Sequence, residues 1–124
     1  DAVYLRPEED GLRMYHGKDV FVNAIEFMTK YVHEIVTKNG FSMDDLNYVV
    51  PHQANKRIIT QIARNLGYDE EKILMNIHKY GNTGCASTPL LLSEYWDQFQ
   101  FGDLIAVTVF GGGYSAGAML LRVV

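Results

Sequence analysis

Apolar residues recur along this chain with two different periods, and the alternation between them lays out a fold. Over residues 19–38 the period is helical. Val20, Ala24, Met28, Val32 and Ile35 fall on one line, and Phe21, Ile25, Phe27, Tyr31 and Val36 widen it into a stripe. Asp19 is placed to cap the start, and Lys38-Asn39-Gly40 supplies a cation followed by left-handed stop residues. Residues 47–50 form a short apolar run closed by Pro51 and are predicted to be a buried strand. A second helix is predicted over 55–66, with Ile58, Ile59, Ile62, Ala63 and Leu66 inward and Gly67 ending it. Residues 73–77 read as another strand. A third helix begins between Thr83 and Ser87, because Pro89 is tolerated only near a helix start, and Leu91, Leu92, Tyr95, Trp96 and Phe99 follow at helical spacing. Residues 104–110 and 116–124 are apolar strands joined by a glycine-rich loop short enough to require an antiparallel hairpin. The remaining strands alternate with helices and should run parallel. Residues 3–5 and 12–15 are extended candidates around a turn at Pro7 and Gly11. The chain thus divides into an extended N-terminal segment, 1–16, and one α/β domain, 17–124.

Composition narrows the class. A chain of 124 residues, 48% of them hydrophobic, can bury one modest core. A net charge of −4 argues against a general nucleic-acid binder. No apolar run approaches the roughly 20 residues of a membrane span, and the acidic first residues lack the order of a signal peptide. A single cysteine, Cys85, excludes an internal disulfide and favours a reducing cytoplasm. The sequence opens on Asp1, not methionine, and is already strand-like at Ala2-Val3-Tyr4-Leu5, so it is expected to be part of a longer protein.

Candidate chemistry gathers at strand ends. In open α/β sheets, ligands collect at the carboxyl ends of parallel strands. His52 follows the 47–50 strand, Asn82 follows the 73–77 strand, and Gly111-Gly112-Gly113 closes the 104–110 strand. Each alone has a plainer reading. A histidine behind a proline is more often structural, Gly81-Asn82 is a turn signal, and three glycines make a flexible hairpin. The glycines match neither a dinucleotide fingerprint nor a phosphate-binding loop. Cys85, among Gly84, Ala86 and Ser87, reads as a packed structural cysteine. His52, His78 and Cys85 have no metal-ligand spacing. Convergence of three segments on one sheet edge is the more specific signal, and it supplies donors without a nucleophile.

Three stretches carry a resemblance: Val50-Pro51-His52-Gln53-Ala54-Asn55-Lys56-Arg57-Ile58-Ile59, Tyr80-Gly81-Asn82-Thr83 with the small residues Gly84 to Ser87 after it, and Phe110-Gly111-Gly112-Gly113. In order and spacing, residues 17–124 resemble the C-terminal half of the β-ketoacyl-[acyl-carrier-protein] synthase III family. The resemblance implies a thiolase-like α/β half, with a five-stranded mixed sheet whose last strand is antiparallel, covered by helices. It implies an acyltransferase that joins an acyl primer from acyl-CoA to malonyl-acyl carrier protein and starts fatty-acid synthesis. His52 and Asn82 would be the histidine and asparagine of a Cys-His-Asn set, and the cysteine would lie in the protein's own N-terminal half. A backbone N–H of the glycine loop, Gly112 first and Gly111 or Gly113 next, would stabilise the oxyanion at the acylated cysteine. Asn55, Phe110, Gly111 and Gly113 would line the substrate path. Arg57 and Lys56, with Arg64 behind them, would dock the acidic carrier protein. The resemblance further implies a cytoplasmic homodimer with no cofactor, no metal, no nucleic acid and no membrane, and a chain that is inert without the other half. Cys85 stands where the family has a small residue, and Gly84 where serine is common. A synthase of a secondary pathway and a non-catalytic module that only binds carrier protein or CoA are the alternatives. The second has no use for a histidine, a carboxamide and a glycine loop together.

Overall fold

A long amphipathic helix and a three-stranded sheet dominate the structure. The computed structural model describes residues 16–124 throughout and, before them, the backbone of two short strands, β1 (Val3–Tyr4) and β2 (Arg13–Met14), which pair antiparallel. The turn expected at Pro7 and Gly11 lies outside the described residues.

Helix α1 (Gly17–Lys38) buries Ala24, Ile25, Met28, Val32 and Val36, the inner face that the helical period assigns. It starts two residues earlier than expected, so Asp19 is not its cap. The cap position is His16, which makes no side-chain capping bond. Asp19 lies in the first turn, where its carboxylate faces the positive end of the helix dipole. At the other end the chain reverses through Gly40 at φ 79°, with the Phe41 N–H returning to the Val36 carbonyl. Helix α2 (Lys56–Leu66) opens on Asn55, whose Oδ1 accepts from the Arg57 N–H at 2.8 Å. It stops at Gly67, which takes the left-handed conformation at φ 61°.

Gly67 carries a measurable part of the stability. A Cβ there would touch nothing within 4 Å, so the cost of Gly67→Ala is that of the left-handed backbone alone, about 1–2 kcal/mol. A matching fall in the urea midpoint, with unchanged slope, is the expected result.

Strand β3 (Tyr48–Pro51) pairs parallel with β4 (Leu104–Gly111), and β4 pairs antiparallel with β5 (Ser115–Arg122), in the order β3-β4-β5. The hairpin predicted between the last two strands is present. Alternate residues feed two cores. Val49, Leu104 and Ala106 pack with α1 and α2 on one face. Val50, Ile105 and Val107 pack with Leu91 of helix α4 (Ser87–Glu94) on the other. The layering is therefore helix, sheet, helix.

The expected five-stranded sheet is not formed among the described residues: this sheet has three strands. Residues 73–77, predicted as a strand, make a single parallel bridge, Ile73 to Val49, and the Leu74 N–H reaches the Val49 carbonyl at 2.9 Å. Beyond that point a side chain displaces the ladder. Gln53 is fully buried, and its Oε1 accepts from the N–H groups of Asn76 and Ile77 at 3.0 and 3.1 Å. Its Nε2 donates to the Pro51 carbonyl at 2.9 Å. With its donors satisfied by an amide, the backbone turns into the short helix α3 (Ile77–Tyr80). In the third helical region, Pro89 sits in the first turn of α4 as expected. The helix ends at Glu94; Tyr95 and Phe99, on either side of a 3-10 turn at Trp96–Gln98, still pack on the second core, whereas Trp96 is exposed.

Candidate active site

The parallel pairing of β3 with β4 ends at Pro51, and the first residue past that point is His52. Its backbone N–H still follows the ladder, donating to the Thr108 carbonyl at 2.8 Å, so the imidazole is projected from a fixed base. The side chain is half-buried, and its Nδ1 lies 2.7 Å from Ser87 Oγ at the start of α4. Burial pushes the imidazole pKa below the ordinary 6.5, so the ring is neutral at neutral pH.

Asn82 is held by the loop between α3 and α4. Gly81 and Gly84 flank it at positive φ, 68° and 58°, a conformation that glycine takes without strain. The Asn82 Oδ1 accepts from the Gly84 N–H at 2.9 Å. That bond settles which end of the carboxamide faces the backbone and leaves the NH₂ free to donate outward. The residue is exposed.

The third element is the hairpin. Gly111 ends β4, and Gly112 and Gly113 form the exposed turn before β5. Phe110 stacks on Phe27 of α1, with centroids 6.2 Å apart, and meets Tyr114 in a tilted contact at 5.1 Å, which braces the base of the loop.

A cavity of about 520 Å³ opens between these segments, with His52, Ser87, Cys85, Phe110 and Gly111 in its wall and Ser115 and Ala116 opposite. The structure therefore gathers His52, Phe110 and Gly111 at one cavity. Asn82 stands beside it, tied to the lining residue Gly84. Of the three glycines, Gly111 forms the wall; Gly112 and Gly113 are outside the lining. Cys85, expected to be packed, is exposed and lines the cavity, because the left-handed Gly84 turns the chain outward before α4 begins.

Asn55 is exposed and serves as the α2 cap, with its amide NH₂ not used in that role. Lys56 and Arg57 lie in the first turn of α2, and with Phe21 and Arg64 they line a shallow groove apart from the cavity. The Arg57 guanidinium sits 5.7 Å from the Phe21 ring centroid, which restricts the cation to that groove.

Two residues that organise the site carry little sequence signal. Ser87 stands 35 positions from the histidine it touches. Gln53 is part of the quoted motif, but nothing in the motif sets it apart as a residue that bonds backbone.

A parallel strand pair with neutral hydrogen-bond donors at its carboxyl end, flanked by helices on both faces, belongs to the α/β thiolase-like class. Solved structures bear this out. The chain superposes on 3-oxoacyl-(acyl carrier protein) synthase III of Pseudomonas aeruginosa PAO1 with a TM-score of 0.92 and 34% identity, covering 99% of this chain and 40% of that one. For the Aquifex aeolicus VF5 enzyme the TM-score is 0.91 at 38% identity, covering 98% and 40%. The sequence is 43% identical over 117 residues to β-ketoacyl-[acyl-carrier-protein] synthase III of Nitratidesulfovibrio vulgaris, 93% of this chain and 35% of that protein. Residues 36–123 match the family model described as 3-oxoacyl-[acyl-carrier-protein (ACP)] synthase III C terminal, and the chain belongs to that family. It spans about a third of the length of the curated relatives it matches.

Proposed function

We propose that this chain is the donor-bearing half of a decarboxylating condensing enzyme, a β-ketoacyl-[acyl-carrier-protein] synthase III that begins fatty-acid synthesis. The observation that carries the proposal is the pairing of a neutral, backbone-anchored imidazole with an oriented carboxamide beside one cavity. The two groups suit one oxyanion. Neither adds net charge, and each can present an N–H to an oxygen that gains charge during reaction.

In this reading an acyl group passes from acyl-CoA to a cysteine of the N-terminal half. The bond between the α-carbon and the carboxylate of malonyl-acyl carrier protein then breaks. Carbon dioxide leaves, and the electron pair is delocalised onto the thioester oxygen, where His52 and Asn82 donate. The enolate carbon attacks the acyl thioester, and the cysteine departs as thiolate. A backbone N–H of the glycine hairpin serves the tetrahedral oxyanion. Gly112, in the exposed turn just past the paired Gly111, is the first candidate, with Gly111 and Gly113 next.

Asn55, at the mouth of the strand-end loop, is assigned to the substrate path. Arg57 and Lys56 are assigned to the acidic carrier protein, since both cations are exposed and Arg57 is held over Phe21. A cytoplasmic homodimer completes the reading. The single cysteine, which excludes an internal disulfide within this chain, suits a reducing compartment.

The test is made on the full-length protein. Incubation with an acyl-CoA panel should add one acyl group, seen by intact mass, and malonyl-acyl carrier protein should then yield carbon dioxide and a β-ketoacyl product. Arg57→Glu should raise KM for the carrier protein several-fold, with kcat unchanged. Absence of both acylation and carbon dioxide release would refute the proposal.

A further inference from the structure

We infer that Ser87 is a positioning residue that sets the tautomer of His52, keeping the ring proton on Nε2. The hydroxyl of Ser87 is buried at the first turn of α4, four residues before the fully buried Leu91. Among the described residues, its sole hydrogen-bonding partner is His52 Nδ1, at 2.7 Å. A neutral imidazole leaves two arrangements of the protons. In one, the hydroxyl donates to Nδ1; both groups are then satisfied, and Nε2 carries the ring proton. In the other, Nδ1–H donates to Oγ, and the hydroxyl hydrogen, on a side chain only 2% exposed, has no acceptor among the described residues. A buried donor left unmatched biases such an equilibrium by roughly tenfold or more, so the first arrangement prevails.

The consequence rests on the function proposed above. His52 lines the cavity, and with Nδ1 engaged, Nε2 is the nitrogen open to a ligand there. An enolate oxygen needs a donor at that nitrogen. The opposite tautomer would present a lone pair and repel it. Ser87 thus acts through the histidine and needs no contact with substrate, which separates its role from that of Asn82.

Nitrogen-15 NMR of the full-length protein with labelled histidine reads the tautomer directly; His52 is assigned by the signal lost in His52→Gln. In the unsubstituted protein, Nε2 should be protonated and Nδ1 should not. Ser87→Ala should move His52 toward a mixture of tautomers and slow carbon dioxide release from malonyl-acyl carrier protein about tenfold, with acylation by acyl-CoA unchanged. Ser87→Thr, which restores a hydroxyl, should recover both. A proton on Nδ1 in the unsubstituted protein overturns the inference without any variant. An unchanged tautomer in Ser87→Ala also overturns it. A tautomer that follows Ser87 in a protein that releases no carbon dioxide supports the positioning role and refutes the proposed reaction instead.

Discussion

His52→Ala in the full-length protein is expected to slow malonyl decarboxylation by about 10²–10³-fold, or about 2.7–4 kcal/mol of transition-state stabilisation. Acylation of the cysteine should continue, because in the proposed reaction that step would take its oxyanion donor from the glycine hairpin. The split is the informative part. A general loss of folding would lower both steps together, whereas loss of an enolate donor lowers one. Stopped-flow carbon dioxide detection beside intact-mass acylation measures the two. A variant that decarboxylates normally but cannot be acylated would reverse the assignment. Burial of the imidazole also makes stability depend on pH. The folded pKa lies below the ordinary 6.5, so between the two values the unfolded chain binds more protons. This contribution is fully present above pH 6.5 and is lost as pH falls through the lowered folded value. His52→Gln should flatten that part of the stability profile; the other histidines, His16, His33 and His78, are exposed.

The parts of this molecule that were legible in the sequence are those whose signal is local. The α1 stripe from Ala24 to Val36 shows its own inner face, and the Leu104 to Gly111 strand with its glycine turn shows its own hairpin. Position relative to strand ends was legible too, which is why His52 and Gly111 could be brought to one cavity before any contact was known. What failed depends on contacts between distant residues or on a backbone conformation that residue types leave open. The apolar run at 73–77 looks like a strand, yet its amides at Asn76 and Ile77 are taken by a side chain more than twenty residues earlier. Cys85 has the small neighbours of a packed thiol, but the sign of φ at Gly84 places it in a cavity wall. Ser87 shares the first problem: its hydroxyl acquires meaning only when α4 is packed against β3.

Gln53→Leu is expected to cost the domain about 2–5 kcal/mol, although it places an apolar side chain of similar size in a fully buried position. The hydrophobic gain is small, since the glutamine stem is already buried, and the losses are specific. Removing the amide leaves the N–H groups of Asn76 and Ile77 without their acceptor at 3.0 and 3.1 Å, and the Pro51 carbonyl without its donor at 2.9 Å. Each buried group left unmatched costs about 1–3 kcal/mol, in part recovered where water can enter. The second strut across this region, Asn76 to Glu94 at 2.9 Å with Lys79 closing on the same carboxylate, hangs on the segment that Gln53 fixes. The damage is therefore expected to reach the active site as well. Gln53 ties the end of β3, which carries His52, to the segment leading into the Asn82 loop, so slackening it changes the spacing of the two donors. Guanidinium unfolding should show a lower midpoint, and decarboxylation should fall by more than acylation. Gln53→Glu keeps an acceptor for the two N–H groups but loses the donor to Pro51, and buries a carboxyl group. It should retain more structure than the leucine variant at low pH, where the carboxyl is protonated and can donate, and lose that advantage as pH rises and the buried group must ionise. A leucine variant within about 0.5 kcal/mol of the parent, the scatter of ordinary surface substitutions, would mean that the strand-end geometry is held by packing of Val50, Leu74 and Leu91 and not by the amide.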